Sequence, residues 1–194
     1  MEPPSDPIAT FNEWLAAAEQ TEPNDANAMS VATVGPHGMP SVRILLLKAA
    51  DESGFVFFTN QNSRKGREIA ANGKAALCFH WKTLRRQVRV CGNVETVPAA
   101  ESDVYFNSRA RGSQIGAHAS SQSEPLESRA VLEERVRQID RQYEGMEVPR
   151  PSHWGGYRLV PTEIELWQDR EFRLHDRFQF LRTATGWQMQ RLFP

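Results

Sequence analysis

Short runs in which apolar and polar residues alternate dominate the chain, and they predict β-strands. The hydrophobic positions predict strands at 29–34, 39–48, 55–59, 75–81 and 85–97, with further β structure between 156 and 192. Gly35-Pro36-His37-Gly38 predicts a hairpin between the first two strands, and Gly186 predicts a turn before the last one. In the strand at 85–97, Val88 and Val90 are expected to face the core. Gln87 and Arg89 should then share the opposite face.

Fewer segments have the spacing of an amphipathic helix, and they predict helices at 6–19, 64–71, 98–109 and 128–143. Asp6-Pro7 combines an N-cap residue with proline at the first helical position. Asn72-Gly73 predicts the end of the second helix. The segment 111–122 is polar and rich in Gly and Ser, and no element is predicted for it. Many strands with a few helices indicate a mainly β protein with helices (α+β), built as a small antiparallel barrel with helical additions.

The chain has the length and composition of one globular domain, assigned to residues 1–194. It has 194 residues, 40% of them hydrophobic and 24% charged. The formal net charge of −1 argues against a nucleic-acid-binding protein, which needs a broad basic excess. Basic residues instead form local clusters, and these suit small anionic ligands. Residues 1–5 are Pro-rich and expected to be mobile.

The remaining composition predicts a cytoplasmic protein without a metal or a membrane segment. No N-terminal basic region followed by an apolar run is present, and no apolar stretch approaches membrane-spanning length. Cys78 and Cys91 lie in apolar, strand-like surroundings and are expected to be buried and reduced. The five histidines show no metal-ligand spacing.

The most informative stretch runs from 153 to 182. An extended strand would place Arg173, His175 and Arg177 on one face, with Leu174, Asp176 and Phe178 on the other. Such a cationic face favours an anionic ligand carrying phosphate or carboxylate. The alternative is a solvated edge strand whose arginines pair with acidic neighbours.

Three other places carry candidate anion chemistry. Arg64 and Lys65 follow the N-cap Ser63, where free N–H groups and the helix dipole suit a phosphate, although a plain N-cap with surface cations fits equally well. Lys48 ends an apolar strand and could reach a ligand or solvent. Tyr105, Arg109 and Ser113 could hold a second phosphate, or Arg109 could simply cap a helix end.

Sequence motifs for nucleotide folds and for self-contained catalysis are missing. The chain has no GxGxxG or GxxxxGK[ST] motif. No Ser/His/Asp, Cys/His or paired-carboxylate arrangement is evident. If the protein is an enzyme, a bound cofactor is expected to carry the chemistry, while the protein supplies anion binding and orientation.

Several segments, taken in order, resemble one family, the FMN-dependent pyridoxine/pyridoxamine 5'-phosphate oxidases. The similar stretches are RILLLK (43–48), GFVFFTNQNSRKG (54–66), FHW (79–81), RQVRVCGNVE (86–95), SDVYFNSR (102–109), SQIGA (113–117), SQSEPLESR (121–129), PRPSHWGGYRL (149–159), IELWQDR (164–170) and RLHDRF (173–178). They cover nearly the whole chain from Asp6 onward.

The resemblance implies an FMN-binding split β-barrel and a homodimer with two FMN sites at the subunit interface. It implies that residues 160–194 form a C-terminal dimerisation and active-site segment. The implied FMN contacts are Arg43, Lys48, Phe58, Thr59, Arg64, Lys65, Gln87, Gln122, Ser123, Trp167 and Arg177. The implied substrate contacts are Lys48, Tyr105, Arg109, Ser113, Arg173 and His175, of which Arg173 and His175 are the catalytic pair.

The reaction implied by the resemblance belongs to vitamin B6 biosynthesis and salvage. A hydride would pass from C4' of pyridoxamine or pyridoxine 5'-phosphate to flavin N5, and O2 would reoxidise the flavin and become H2O2. The amine substrate would form an imine that water hydrolyses to pyridoxal 5'-phosphate and ammonia. Arg173 and His175 are expected to orient the substrate and stabilise charge.

The chain departs from the usual family pattern at four positions, which bear on the preference between amine and alcohol substrate. Ala26, Ala110, His118 and Asp169 replace residues that are common at these positions in PNDPNAM, SRPR, GAWAS and WQGR. One alternative is an FMN split-barrel oxidase acting on another ring, as in phenazine biosynthesis. A second is a carrier or regulator without turnover, and a third is an RNA-binding module, which the net charge disfavours.

Overall fold

Nine β-strands, five α-helices and one 3-10 turn make up residues 2–194, the part of the chain that the computed structural model describes. The helices are α1 (Pro7–Thr21), α2 (Arg64–Asn72), α3 (Ala99–Asn107), α4 (Arg111–Ala119) and α5 (Arg129–Gln142). The strands are β1 (Ala28–Val34), β2 (Pro40–Leu46), β3 (Ala49–Asp51), β4 (Gly54–Asn60), β5 (Lys74–Trp81), β6 (Arg86–Thr96), β7 (Trp154–Gln168), β8 (Asp176–Thr183) and β9 (Gly186–Arg191). The 3-10 turn spans Glu171–Arg173. The predicted mainly β architecture with helices is therefore confirmed.

The strands form one antiparallel sheet in the order β2-β1-β5-β6-β7-β4-β3, with β8 and β9 added at β7. The long strand β7 organises it. One edge of β7 pairs with β6, while β4 and β8 share the other edge, β4 along 154–159 and β8 along 163–168. Gly92 marks the irregularity in β6, where a Cβ atom would lie 2.1 Å from the carbonyl oxygen of Val160. Only glycine allows the two strands to approach so closely there.

The main core lies on one face of this sheet and is covered by α1. Val88 and Val90 are fully buried, as their alternation predicts. Asp6 caps α1 by accepting hydrogen bonds from the N–H groups of Ile8 and Ala9 at 2.8 and 3.1 Å. Phe11 of α1 packs edge-on against Phe55 and Phe79, with ring centroids 5.0 and 4.9 Å apart. Edge-to-face packing of this kind adds to the hydrophobic stabilisation of the core.

A second, smaller core lies beneath α3, α4 and α5. Phe106, Ile115, Val148 and Trp154 form its buried part, and α5 covers it with Val136, Ile139 and Tyr143. Helix α4 is missing from the sequence prediction. It begins without a side-chain cap and contains two glycines, so the usual signals of a helix are weak.

Two strand predictions are wrong in detail. The strand predicted at 39–48 ends earlier, as β2 at Leu46, and the prediction omits the short strand β3 that begins at Ala49. Lys48 N–H then donates to the carbonyl of Val56 in β4, at 2.8 Å. The extended strand predicted across 173–177 is also wrong, since Phe172 and Arg173 have φ values of 55° and 64° and β8 begins only at Asp176. Arg173, His175 and Arg177 therefore do not share one strand face.

The cysteine prediction is half right. Both thiols are free, Cys78 is half-buried, and Cys91 is exposed rather than buried. Both lie on the sheet face opposite the buried Leu77 and Val90. Partial burial raises the pKa of both thiols. None of the helices within residues 2–194 has the length and apolar character needed to cross a bilayer.

Candidate active site

A cleft of about 690 Å³ opens beside the end of β4, between β2 and the helices α3 and α4. Seven of the residues predicted for the site line it: Lys48, Phe58, Thr59, Tyr105, Arg109, Ser113 and Gln122. They come from four separate parts of the chain, which the fold brings together. The volume is in the range of pockets that hold cofactors and small substrates.

Three parallel aromatic rings form one wall of the cleft. The ring of Phe58 stacks on Tyr105 with centroids 4.2 Å apart and on Trp154 with centroids 5.6 Å apart. Lys48 Nζ lies 5.6 Å from the centre of the Tyr105 ring. Sequence reasoning missed Trp154, although it lies within the PRPSHWGGYRL segment. The stacked rings make this wall aromatic, and Lys48 and Arg109 lie against it.

Arg109 brings an unpaired donor into this cleft. Its guanidinium carbon lies 4.7 Å from the centre of the Trp154 ring. Its Nη1 atom is buried and has no hydrogen-bond partner among the described residues. Burial lowers the pKa of Arg109, but a guanidinium stays charged at neutral pH. A buried, charged donor without a partner is costly, so this atom suits an anionic ligand.

Lys65 is a buried cation beside the cleft. It is 5% exposed, and Nζ donates to Thr59 Oγ1 at 3.1 Å, Ser63 Oγ at 2.9 Å and Gln122 Oε1 at 2.7 Å. All three acceptors are neutral. Desolvation, together with the charge of Arg43, lowers the pKa of Lys65 to about 8. A buried ammonium group surrounded by neutral acceptors suits a phosphate.

Arg43 and Arg64 are held next to Lys65 by Glu68, which sequence reasoning missed. Arg64 Nε donates to Glu68 Oε1 at 2.8 Å, and Arg43 Nη2 lies 3.5 Å from Oε2. The hydroxyls of Thr33 and Ser41 each donate to Oε2 at 2.5 Å. Desolvation would raise the pKa of Glu68, but these hydrogen bonds outweigh it and hold the pKa at about 2. The cluster carries three cations against one carboxylate, and Ser63 caps the helix that presents two of them.

Ser123 follows Gln122 with a positive φ of 75° and lies at the surface.

The remaining predicted residues form a second group, across β6, β7 and β8. Gln87 pairs with Trp167, and Trp167 pairs with Arg177.

Arg177 pairs with an acidic neighbour, as expected from the alternative interpretation of an edge strand with paired arginines. Its Nε and Nη2 donate to the two carboxylate oxygens of Glu165 at 2.9 and 3.1 Å. Arg89 also pairs with Glu165, which is buried. Desolvation raises the pKa of Glu165, and hydrogen bonds from these arginines lower it by more. Glu165 therefore fixes Arg177 on the sheet surface.

His175 and Arg173 complete this second group. The ring of His175 lies against Trp167, with centroids 4.6 Å apart. Arg173 is exposed on the 3-10 turn and borders another cleft, of about 750 Å³, together with Arg85 and Asp169.

The two groups lie at opposite ends of β7. Trp154 begins the strand and Trp167 is thirteen residues later, which corresponds to about 40 Å along the strand. Among residues 2–194, no hydrogen bond or ion pair joins the cleft residues to Gln87, Trp167, Arg173 or His175. The residues predicted for the site thus form two separate groups within one subunit.

Comparison with known proteins identifies the family. The profile of the family described as "Pyridoxamine 5'-phosphate oxidase" matches residues 15–143, and that of the "Pyridoxine 5'-phosphate oxidase C-terminal dimerisation region" matches residues 154–194. The chain belongs to the pyridoxamine 5'-phosphate oxidase family. A pyridoxine/pyridoxamine 5'-phosphate oxidase of Gluconobacter oxydans is 56% identical over 98% of this chain and 95% of its own length. One from Hyphomonas neptunium is 58% identical over 97% of this chain and 87% of its own length. The prediction that the chain is an oxidoreductase of this family is confirmed.

Solved structures confirm the split β-barrel fold of this family member. PhzG from Burkholderia lata, in complex with tetrahydrophenazine-1-carboxylic acid, is 31% identical with a TM-score of 0.93, covering 100% of this chain and 95% of that one. A pyridoxamine 5'-phosphate oxidase-related, FMN-binding protein from Nostoc punctiforme has a TM-score of 0.76 at 16% identity, covering 96% of each chain. The second likeness supports the fold alone.

Proposed function

We propose that the protein uses FMN to oxidise pyridoxamine 5'-phosphate and pyridoxine 5'-phosphate to pyridoxal 5'-phosphate, while O2 is reduced to H2O2. The observation that carries this proposal is a pair of cations without anionic partners in and beside one cleft: the buried Lys65, and the half-buried Arg109 with its buried, unpaired Nη1 atom. Two phosphorylated ligands, a flavin and a substrate, would supply the two missing anions. The names of the relatives at 56% and 58% identity support the same substrates.

The residues around Lys65 fit the phosphate of FMN. Lys65, Arg43 and Arg64 converge there, and the N-terminus of α2 adds free N–H groups and its dipole. A phosphate carries about −1.5 to −2 near neutral pH, which balances the net charge of the cluster with Glu68. The cradle also needs Gly66, because a Cβ atom there would lie 1.9 Å from the carbonyl oxygen of Gln61. Thr59, Gln122, Ser123, Phe58 and Lys48 would form the adjoining contacts to the cofactor.

The cleft itself fits the substrate. Lys48, Tyr105, Arg109 and Ser113 would hold the substrate phosphate, with Arg109 Nη1 as the buried donor. The aromatic wall would exclude water from one side of the substrate ring. Bound FMN would supply the redox chemistry, accepting a hydride from C4' and returning electrons to O2. Arg173 and His175 would contact the reacting end of the substrate, orient it and stabilise developing charge.

The separation of the predicted site residues into two groups supports a homodimer in which two subunits complete each active site. Gln87, Trp167, Arg173, His175 and Arg177 of one subunit would then face the cleft of the other. The family match to a C-terminal dimerisation region at residues 154–194 supports this arrangement. The edge strand β2 also exposes Val42 and Ile44, with 66% and 62% of their surface accessible in the single subunit. An apolar edge of this kind is typical of a covered interface.

The visible spectrum of the purified protein tests the proposal. Pyridoxamine 5'-phosphate added without oxygen should bleach a flavin band, and air should restore it as pyridoxal 5'-phosphate and H2O2 appear. A flavin band that the substrate leaves unchanged would refute the proposed substrate and favour another ring system, such as the tetrahydrophenazine carboxylate bound by PhzG. Failure to bind added FMN would refute the cofactor.

A further inference from the structure

Asp169 lies between Arg85 and His175, the histidine that we propose contacts the substrate. Asp169 Oδ1 is 3.1 Å from His175 Nδ1, and the same carboxylate forms an ion pair with Arg85. The N–H of Asp169 also donates to the carbonyl of Arg85 at 3.0 Å. The side chains of Asp169 and His175 are only 17% and 14% exposed. Arg85 thus fixes both the backbone and the carboxylate of Asp169.

The imidazole of His175 is held on several sides. The N–H of Arg170 donates to Nδ1 at 3.1 Å, and the indole of Trp167 packs against the ring. Nδ1 accepts this hydrogen bond in the neutral ring, whereas a protonated ring forms the ion pair with Asp169. Asp169 Oδ1 and the N–H of Arg170 therefore both lie 3.1 Å from the same ring nitrogen.

The other ring nitrogen remains available. Within residues 2–194, no residue forms a hydrogen bond with Nε2 of His175. A carboxylate that engages one imidazole nitrogen orients the ring and leaves the second nitrogen for chemistry. Since Arg85 neutralises Asp169, the carboxylate adds little net repulsion toward an anionic substrate.

We propose that Asp169, held by Arg85, is a positioning residue that fixes the His175 imidazole and leaves Nε2 as its ligand-facing nitrogen. The contact of His175 with substrate rests on the proposed function. The contacts of Asp169 with Arg85 and His175, called the Asp169 clamp, rest on the observed geometry.

The test compares Asp169→Ala and Asp169→Asn, with Asp140→Ala as control, because Asp140 is a surface aspartate that also pairs with an arginine. Three measurements are made on each variant and on the wild-type protein. They are steady-state kinetics with pyridoxamine 5'-phosphate, flavin-fluorescence titration with FMN, and imidazole 15N NMR of the FMN-free protein. We expect Asp169→Ala to lower kcat about 10- to 100-fold, the cost of a misplaced reacting group, with KM and FMN affinity nearly unchanged. Asp169→Asn, which keeps Oδ1 as an acceptor, should recover most of the loss.

The NMR readout separates this proposal from the proposed function. The Nδ1 signal of His175, assigned with His175→Gln, should shift in Asp169→Ala and stay near its original position in Asp169→Asn. An unshifted signal would overturn the clamp, whatever the enzyme oxidises. An unchanged kcat in Asp169→Ala, or an equal loss of FMN affinity and kcat, would overturn the positioning role. If the wild-type protein oxidises no pyridoxamine 5'-phosphate, the proposed function fails, while the NMR result still decides the clamp.

Discussion

Replacing Lys65 by methionine tests the cofactor site most directly. Lys65 is buried, and its three hydrogen-bond partners are neutral. Desolvation, helped by Arg43, lowers its pKa from 10.5 to about 8. Such a difference corresponds to a penalty of the order of 3 kcal/mol for carrying the charge in the FMN-free protein. A bound phosphate would offset this penalty.

The sign of the pH dependence follows from that pKa. Between about pH 8 and 10.5 the unfolded chain binds more protons at this lysine than the folded protein does. The FMN-free protein should therefore gain stability as pH rises through this window, while the full penalty is present below about pH 8. Lys65→Met should abolish this contribution. At pH 7 the variant removes the charge penalty but takes one hydrogen-bond donor away from Thr59, Ser63 and Gln122, so its net stability should stay within about 2 kcal/mol of wild type.

Affinity for FMN should respond much more strongly. A hydrogen bond to a charged group contributes about 1.5–3 kcal/mol, so Lys65→Met should weaken FMN binding roughly 10- to 150-fold. Wild-type affinity should also fall between pH 7 and 9 as Lys65 loses its proton, and the variant should lose that dependence. Flavin-fluorescence titration measures the affinity and urea unfolding measures the stability, with Lys74→Met as an exposed-lysine control. Wild-type FMN affinity in Lys65→Met would refute the assignment of the phosphate.

Other predictions address the remaining parts of the site. Glu68→Gln should cost about 3 kcal/mol in urea unfolding at pH 7, as expected for breaking a buried ion pair, and should remove the stability that wild type loses as pH falls from 4.5 toward 2. Arg109→Met should raise KM for pyridoxamine 5'-phosphate roughly 10- to 150-fold without changing FMN affinity, whereas unphosphorylated pyridoxamine should respond little. A 1:1 mixture of Arg109→Met and Arg173→Ala subunits that exchange freely should regain about a quarter of wild-type activity if the site is shared, because half of the dimers are mixed and each has one intact site, and none if it is not. Gly66→Ala should destabilise by more than about 3 kcal/mol, because Cβ meets backbone, while Gly112→Ala in open space should be neutral or stabilising by up to about 1 kcal/mol; equal thermal unfolding midpoints would contradict this.

The sequence by itself determined the elements whose signals are local. The alternation around Val88 and Val90 is sufficient to assign the buried face of β6, because successive side chains on a strand point to opposite faces. Ser63 caps α2 and Gly73 ends it in the left-handed conformation, as the pattern predicts. The similar segments along the chain also indicated the family and its fold correctly.

Only the tertiary structure decided where the chain leaves one neighbouring strand and pairs with another, and which charges are buried. The separation of β2 from β3 depends on the pairing of Lys48 with β4, and the turn at 171–173 depends on two left-handed residues without glycine. Glu68 carries no motif. Its role follows from the groups that converge on it: Arg64 of the same helix, and Thr33, Ser41 and Arg43 of β1 and β2, which are remote along the chain.

The same reason applies to the candidate site. Arg109 and Lys65 look like ordinary surface cations in the sequence, since desolvation depends on neighbours that are remote along the chain. The placement of the two groups of predicted site residues at opposite ends of β7 likewise depends on strand pairing, which no local pattern records. Local periodicity thus determined most of the secondary structure, whereas burial, charge balance and the separation of the two residue groups are properties of the folded chain.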